Sequence, residues 1–122
     1  MTAAARPRSA TEAQLMAGLM SAVKALDGAV YHTYDARGSD KGYPDLTCIL
    51  ANRTVWWLEV KGPRGSLSDD QVDWLDRLGG SRAWCVWPDE QQVESARRRW
   101  PTVVHATYDD VLRWLQAEAT TP

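Results

Sequence analysis

The chain has 122 residues, which is enough for one hydrophobic core but not for two. Hydrophobic residues make up 44% and charged residues 25% of it, values typical of soluble globular proteins. Its net charge of −2 excludes a polycation that holds DNA by overall electrostatics, so binding of nucleic acid requires a local basic patch or metal ions that neutralise an acidic site.

The sequence also bears on location. No stretch approaches the ~18 apolar residues that a membrane span needs. The run "LMAGLMSAV" follows Glu12 and Gln14 and has helical periodicity, which is unlike a signal peptide. We therefore expect a cytoplasmic protein with no membrane partner. Cys48 and Cys85 lie in apolar runs without zinc-binding spacing, so we expect two buried free thiols.

The first third of the chain predicts an arm, a helix and a strand. Residues 1–8 are predicted to form a flexible arm ahead of one domain over 9–122. Ser9 and Glu12 form an S-x-x-E capping box, which predicts a helix from Ser9 to about Leu26. Its apolar residues recur at helical spacing and define a buried face: Leu15, Leu19, Val23 and Leu26. "AVYHTY" then predicts a short strand, and "DARGSDKG" a polar loop.

Two strands are predicted in the middle of the chain. The first runs from Tyr43 to about Ala51, and "TVWWLEVKG" forms the second after a turn at "NR", residues 52–53. Because side chains alternate along a strand, Glu59 and Lys61 point to the same face, about 6.6 Å apart at ~3.3 Å per residue.

The second half alternates helices with strands. Ser68 and Gln71 form an S-x-x-Q capping box that opens a helix ending at Gly79–Gly80. "RAWCVW" predicts a fourth strand, and an extension over 89–117 contributes a helix, a short fifth strand in "PTVVHATY" and a last helix. The order αβββαβ over a core of residues 9–88, followed by this extension, predicts an α/β fold with a mixed sheet flanked by helices.

The predicted hairpin brings acidic residues together at one edge of the sheet. Counting outward from its turn places Asp45 opposite the Glu59–Lys61 neighbourhood. Two carboxylates that converge repel each other unless they share a cation, and Mg²⁺ suits a site with one or two protein carboxylates. The backbone carbonyl of Val60 is a further candidate ligand. Lys61 beside the ion would orient or deprotonate an attacking water, which is the chemistry of metal-assisted phosphodiester hydrolysis.

These charged residues also have a structural explanation. Asp45 follows Pro44 and could serve as a turn former, and Glu59 and Lys61 could belong to a solvated edge. Trp57 on the same strand face is apolar, which argues against an evenly polar surface.

The acidic residues and the lysine stand in a longer motif. "GYPDL" followed by "LEVKGPRGSLSDDQVDWL" resembles the PD-(D/E)xK nuclease superfamily, and specifically the VRR-NUC (virus-type replication-repair nuclease) family, over about residues 9–88. The resemblance implies a restriction-endonuclease-like core in which Asp45 and Glu59 bind Mg²⁺, or Mn²⁺ in its place, while Lys61 assists the chemistry. It implies no small-molecule cofactor.

Glu12 and Gln71 extend the motif, and each has a structural alternative. Both are the third helical residue of a predicted capping box, which accounts for them without catalysis. Glu12 also shares a helical face with Leu15, and Gln71 with Leu75, which turns both polar side chains inward. The resemblance implies that Glu12 binds the metal or orients its water, and that Gln71 lies at the catalytic site.

Polar and basic residues near the motif predict a DNA-facing rim in this acidic chain. Its members are Arg37, Ser39, Lys41, Arg64 and His32. For His32 the alternative is packing. Arg97–Arg99 end a helix, where they complement its dipole or make a second DNA contact.

The resemblance implies a divalent-metal-dependent DNA endonuclease of phage-type replication or repair. The sequence shows no helix-turn-helix or zinc finger, so we expect it to recognise a branched structure, such as a Holliday junction or flap, rather than a base sequence. The family also implies a homodimer, and Trp100 and Trp114 would form a dimer face or cover the sheet. Two alternatives remain: a catalytically inactive DNA-binding or assembly module on the same scaffold, and an unrelated α/β protein with an accidental motif.

Overall fold

The computed structural model describes residues 10–34, 40–79 and 82–120. The predicted arm over 1–8 lies outside these residues. In chain order the elements are α1 (Glu12–Ala25), β1 (Ala29–His32), β2 (Leu46–Ile49), β3 (Val55–Val60), α2 (Asp69–Leu78), β4 (Ala83–Trp87), α3 (Glu90–Arg99), β5 (His105–Thr107) and α4 (Tyr108–Ala119).

One mixed sheet contains these five strands in the order β1-β2-β3-β4-β5. The first three strands are antiparallel neighbours, whereas β4 and β5 lie parallel to β3. Parallel neighbours need a crossover connection, and α2 and α3 provide one each. The predicted α/β fold, a mixed sheet flanked by helices, is confirmed.

Side chains of β3 alternate between two hydrophobic clusters, one on each face of the sheet. Trp56, Leu58 and Val60 pack in the cluster that contains residues of α1 and α4. Trp57 packs in the other, with residues of α2 and α3. The alternation predicted from the sequence therefore decides which helices each face of β3 meets, and it turns Glu59 toward α2.

The register between β2 and β3 refines the predicted hairpin. Leu46 pairs with Leu58, so the turn is centred on Asn52 and not between residues 52 and 53. Continuing this pairing by one position sets Asp45 opposite Glu59. Because a slip of one residue moves a side chain to the opposite face of a sheet, this register keeps the two carboxylates on one side.

The start of α1 differs from the prediction. Its N-cap is Thr11, which accepts from the backbone of Gln14 while the Gln14 side chain accepts from the backbone of Thr11. The predicted box of Ser9 and Glu12 is wrong, since the helix begins at Glu12, and Ser9 lies outside the described residues. Glu12 is thereby the first helical residue and has no capping role. The predicted box at the start of α2 is confirmed.

The segment after β4 packs against the rest of the domain. β5 hydrogen-bonds with β4, α3 contributes to one hydrophobic cluster and α4 to the other. Trp100 stacks on Trp87 with ring centroids 6.0 Å apart, and Trp114 packs against Trp84 at 5.8 Å while 39% of it stays exposed. Both indoles therefore help to cover the sheet.

A buried hydrogen-bonded network lies at the β5 edge of the sheet. Trp87 donates from its indole to His105 Nδ1 at 3.0 Å, and His105 Nε2 lies 2.9 Å from the Trp100 carbonyl. Since an indole can only donate, Nδ1 must accept and the imidazole proton must sit on Nε2. Burial lowers the pKa of His105, which keeps the ring neutral and both of its nitrogens satisfied.

Both cysteines are free and buried, as predicted. Burial raises the pKa of Cys48 to about 12, so its thiol stays protonated. In the part of the chain that the structure describes, no helix combines the length and the apolar character needed to cross a membrane.

Candidate functional site

A hydrogen-bonded network joins the end of β3 to the first turn of α2. Gln71 donates from Nε2 to Glu59 Oε2 at 3.0 Å and accepts at Oε1 from Lys61 Nζ at 3.1 Å. The Lys61 ammonium also lies 3.4 Å from Glu59 Oε2. Gln71 Oε1 accepts in addition from the Ser68 backbone at 2.9 Å, which is its capping contact. The helix cap and the site network thus share one side-chain amide.

The charged members of this network are buried. Glu59 is 2% exposed and Lys61 8% exposed. A side chain at Gly65 would place its Cβ 2.9 Å from Lys61 Cβ and 3.0 Å from Lys61 Cδ, closer than carbon atoms pack. The turn after β3 therefore lies directly against the lysine stem and holds the ammonium toward Gln71.

Asp45 is fixed at the same edge by two backbone contacts. Its Oδ2 accepts from the Val60 backbone N–H at 2.8 Å. Its own carbonyl accepts from the Thr33 N–H at 2.7 Å, just beyond the paired part of β1 and β2. Burial raises the pKa of Asp45, and the Val60 hydrogen bond and the Lys61 charge oppose that rise.

The pKa of Glu59 is strongly shifted. Burial, followed by the negative charge of Asp45, raises the pKa of Glu59 to about 8. Its Oε2 has partners in Gln71 and Lys61, but its buried Oε1 has no N–H or O–H donor among the described residues. The Asp45 carboxyl lies within hydrogen-bonding reach of Glu59, and the two can pair only by sharing a proton. A buried acceptor left unpaired is costly unless a ligand or ion completes it.

The donor set at this edge fits a hard divalent cation. Asp45 and Glu59 supply carboxylate oxygens, one of them unpaired, next to the backbone of Val60. Such a cation would stabilise the charged form of Glu59 against the burial and the repulsion from Asp45 that raise its pKa. The described residues contain no group of three or more His, Cys, Asp and Glu side chains able to hold a metal. A cation held by Asp45 and Glu59 would therefore need further oxygen ligands from solvent or substrate.

Glu12 stands at the rim of this site. The residue is exposed, while its carboxyl lies near enough to Asp45 and Lys61 for their charges to act on it. The negative charge of Asp45 contributes to a raised pKa of Glu12, after burial, and Lys61 opposes it. A Cβ on Gly62 would lie 3.0 Å from the Glu12 backbone nitrogen, so the first turn of α1 abuts the segment after β3. Its role toward a metal stays a prediction.

The predicted DNA-facing rim is divided between two sides of the site. Lys41 is exposed and lines a groove that ends at Asp45, and the charge of His32 acts on Asp45. Arg64 is exposed on the other side, where it lines a cavity of about 190 Å³ with Arg99. Arg37 and Ser39 lie outside the described residues.

The sequence analysis missed the aromatic lining of that groove. Tyr31 and Tyr34 are 65% and 67% exposed, and Tyr43 and Trp74 contact each other edge to face at 5.0 Å. The high tryptophan content pointed to indoles at a cleft, but it could not say which ones. The alternation in "VYHTY" was the available signal, since Tyr31 and Thr33 fall on one face of an edge strand.

Comparisons with known proteins agree on one family. The family model of the VRR-NUC domain matches residues 7–100. A solved structure described as a VRR_NUC domain is similar in fold, with a TM-score of 0.52 and 24% identity over 75% of this chain and 99% of that chain. No curated protein matches the sequence.

Proposed function

The chain belongs to the VRR-NUC family, and from this premise we propose that it is a divalent-metal-dependent DNA nuclease. A VRR-NUC domain has a nuclease-type fold, and DNA is the substrate that such a domain implies. The observation that carries the proposal is Glu59: a buried carboxyl with one unpaired oxygen, beside Asp45 and within reach of Lys61. This combination is expected where a cation and a phosphate oxygen complete the site.

The residues of the site divide into two groups. Asp45 and Glu59 would hold the cation, with the Val60 carbonyl as a further ligand. A bound Mg²⁺ or Mn²⁺ supplies Lewis-acid polarisation of the phosphate and a bound water of lowered pKa. Glu12, at the rim, lies where it would contact water on the open side of the site.

Lys61 and Gln71 would act on the reacting groups. An ammonium has three N–H donors, and the contacts with Gln71 and Glu59 occupy two of them. The third has no partner in the described part of the chain and would donate to an attacking water or to a phosphate oxygen that gains negative charge. Gln71 positions Lys61 in this scheme, because its amide is itself anchored by the helix cap at Ser68.

The specific substrate in this proposal is branched DNA, either a Holliday junction or a flap. The proposed active form is a cytoplasmic homodimer. The exposed part of Trp114 on α4 is the apolar surface that we propose for the second copy. Two copies would present two sites to the arms of one junction. Light scattering of the native chain beside Trp114→Ala tests this part, and a monomer at micromolar concentration would overturn it.

The test of the function is a cleavage assay on labelled four-way junction, flap, single-stranded and duplex DNA, with Mg²⁺, Mn²⁺ or EDTA. The native chain is compared with Lys61→Ala, Asp45→Ala and the control Lys24→Ala, which removes an exposed lysine at the far end of α1. We expect metal-dependent cutting that the two site variants lose by about 10²–10⁴-fold and the control keeps. DNA binding without cutting of any substrate would instead establish an inactive DNA-binding module.

A further inference from the structure

A groove leads from Asp45 of the candidate site toward the open edge of the sheet. Its inner part has a volume of about 420 Å³, and Asp45 and Gln71 form its end. The same cleft continues outward as a cavity of about 310 Å³, which shares Thr33, Asp40 and Tyr43 with the inner part. The rings and the hydroxyl that line it, called here the aromatic groove, belong to Tyr31, Thr33, Tyr34, Tyr43 and Trp74.

The rings of the aromatic groove are available to a ligand. Tyr31 and Tyr34 are mostly exposed, and the Tyr34 ring rests on His32 with centroids 4.5 Å apart, which limits its freedom. Tyr43 is held in place because its hydroxyl accepts from the Trp57 indole at 3.1 Å. Ordered, exposed ring faces beside a nuclease site are the usual platform for stacking nucleobases.

Charge and hydrogen bonding favour bases over a phosphate backbone as the occupant. Among the residues that the structure describes, Lys41 is the single cationic one in the lining of the inner part, and the acidic Asp40 lines both parts, which is a poor match for a row of phosphates. Thr33 Oγ1 is buried and has no hydrogen-bond partner among the described residues. A hydroxyl that both donates and accepts suits the edge of a base.

Resting on the function proposed above, we propose that the aromatic groove takes the unpaired nucleotides next to the scissile phosphate. In a duplex each base face is covered by its neighbours, so a ring can stack on it only where the base is unpaired or extruded. A phosphodiester at Asp45 and Glu59 would then have its neighbouring base on Tyr34 and the next one toward Tyr31. The groove would thereby favour a substrate with an unpaired strand at the cut over continuous duplex.

The test measures binding without catalysis. A fluorescent flap substrate and a blunt duplex of equal length are titrated in EDTA with the native chain, Tyr34→Ala, Tyr31→Ala and Tyr34→Phe. Val104→Ala, an exposed apolar residue beside the opposite edge strand, serves as the matched surface control. We expect the two alanine variants to lose about five- to 150-fold in affinity for the flap alone, while Tyr34→Phe, which keeps the ring, stays near the native value.

A 2-aminopurine base beside the flap junction gives a second readout. Stacking on Tyr34 should quench its fluorescence with the native chain and less with Tyr34→Ala. Equal losses on flap and duplex, or no loss on either, would overturn the groove proposal. If metal-dependent cutting persists in that case, the nuclease function stands and the groove fails. If nothing is cut but the flap-specific loss is present, the groove stands and the nuclease function fails.

Discussion

Two buried polar networks lie in one row across the same sheet, and they differ in how far they are satisfied. Glu59 of β3 pairs with Cys85 of β4, and Cys85 pairs with His105 of β5. His105 uses both ring nitrogens within the protein, and burial keeps it neutral. Glu59 keeps one buried oxygen without a donor among the described residues, next to a second carboxyl. The first arrangement is satisfied as folded, whereas the second, in the proposed function, is satisfied by a bound cation.

This contrast teaches that burial of a polar group does not by itself distinguish a site from a core. The number of unsatisfied hydrogen-bonding groups distinguishes the two. A satisfied network contributes to stability, whereas an unsatisfied one costs stability until a ligand binds. Substitutions in the two networks should therefore affect different quantities.

The largest expected effect is that of Glu59→Gln on catalysis. The amide keeps the shape but loses the charge that would hold the cation, so we expect metal-dependent cleavage to fall by more than about 10³-fold. Stability in EDTA should stay equal or rise, because the repulsion with Asp45 is removed. Cleavage rates, calorimetric titration with Mg²⁺ and urea unfolding measure the three quantities.

The matched control for this substitution is Glu94→Gln, the same change at an exposed glutamate on α3. It should leave metal binding, cleavage and stability unchanged. A Glu59→Gln protein that still binds Mg²⁺ and cuts at the native rate would remove Glu59 from the proposed site.

His105→Ala should give the opposite pattern. It leaves the buried Trp87 indole without its acceptor and opens a cavity, so we expect a loss of about 2–4 kcal/mol in the free energy of unfolding. Cleavage per folded molecule should be unchanged, since the ring lies two strands away from Glu59. Urea unfolding and the cleavage rate, corrected for the folded fraction, are the measurements, and a stable variant with impaired cleavage would contradict the comparison.

The placement of the site residues could be predicted largely because they lie close together in the sequence. One hairpin and the helix after it carry Asp45, Glu59, Lys61 and Gln71, and strand alternation with a short turn fixes their relative placement. The network of His105 could not be predicted in this way. It depends on where a crossover through α3 lays β5 beside β4, which is decided by packing far from either strand.

Two errors of detail have equally physical reasons. Ser9 with Glu12 and Thr11 with Gln14 offer the same capping chemistry two residues apart, and the sequence does not rank them. The aromatic groove escaped prediction because its rings come from β1, the segment before β2 and α2, which meet only in the folded sheet.

The pH dependence of stability should separate the two networks. The pKa of His105 is lowered in the folded state, so the unfolded chain binds the proton more readily. The free energy of unfolding that His105 contributes is therefore fully present above about pH 6.5 and is lost as the pH falls below it. The raised pKa of Glu59 means that the folded state binds the extra proton, so stability is lost as pH rises from about 4.5 through about 8. In EDTA we expect the melting temperature to fall between about pH 6.5 and 8.

Two variants show which residue causes this fall in melting temperature. Glu59→Gln should abolish it above about pH 6.5, and His105→Ala should retain it. Added Mg²⁺ should stabilise the native chain more as pH rises, because a carboxyl must lose its proton to bind the ion. Melting curves from about pH 5 to 9, with and without metal, measure all three effects. A fall of the same size in Glu59→Gln would mean that the titrating group lies elsewhere.

The smallest expected effect comes from a single methyl group placed against the lysine. Gly65→Ala would bring its Cβ within 2.9 Å of Lys61 Cβ, so the turn and the start of the lysine side chain must move apart. We expect kcat to fall about three- to tenfold with little change in KM, because positioning of the ammonium is lost while DNA binding is kept. The contact also overpacks the turn, and this outweighs the smaller entropy of the unfolded chain, so stability should fall by about 1 kcal/mol. Ser66→Ala, at the next and exposed position, should change neither quantity, and an unaltered kcat in Gly65→Ala would show that the unsatisfied network tolerates movement of its lysine.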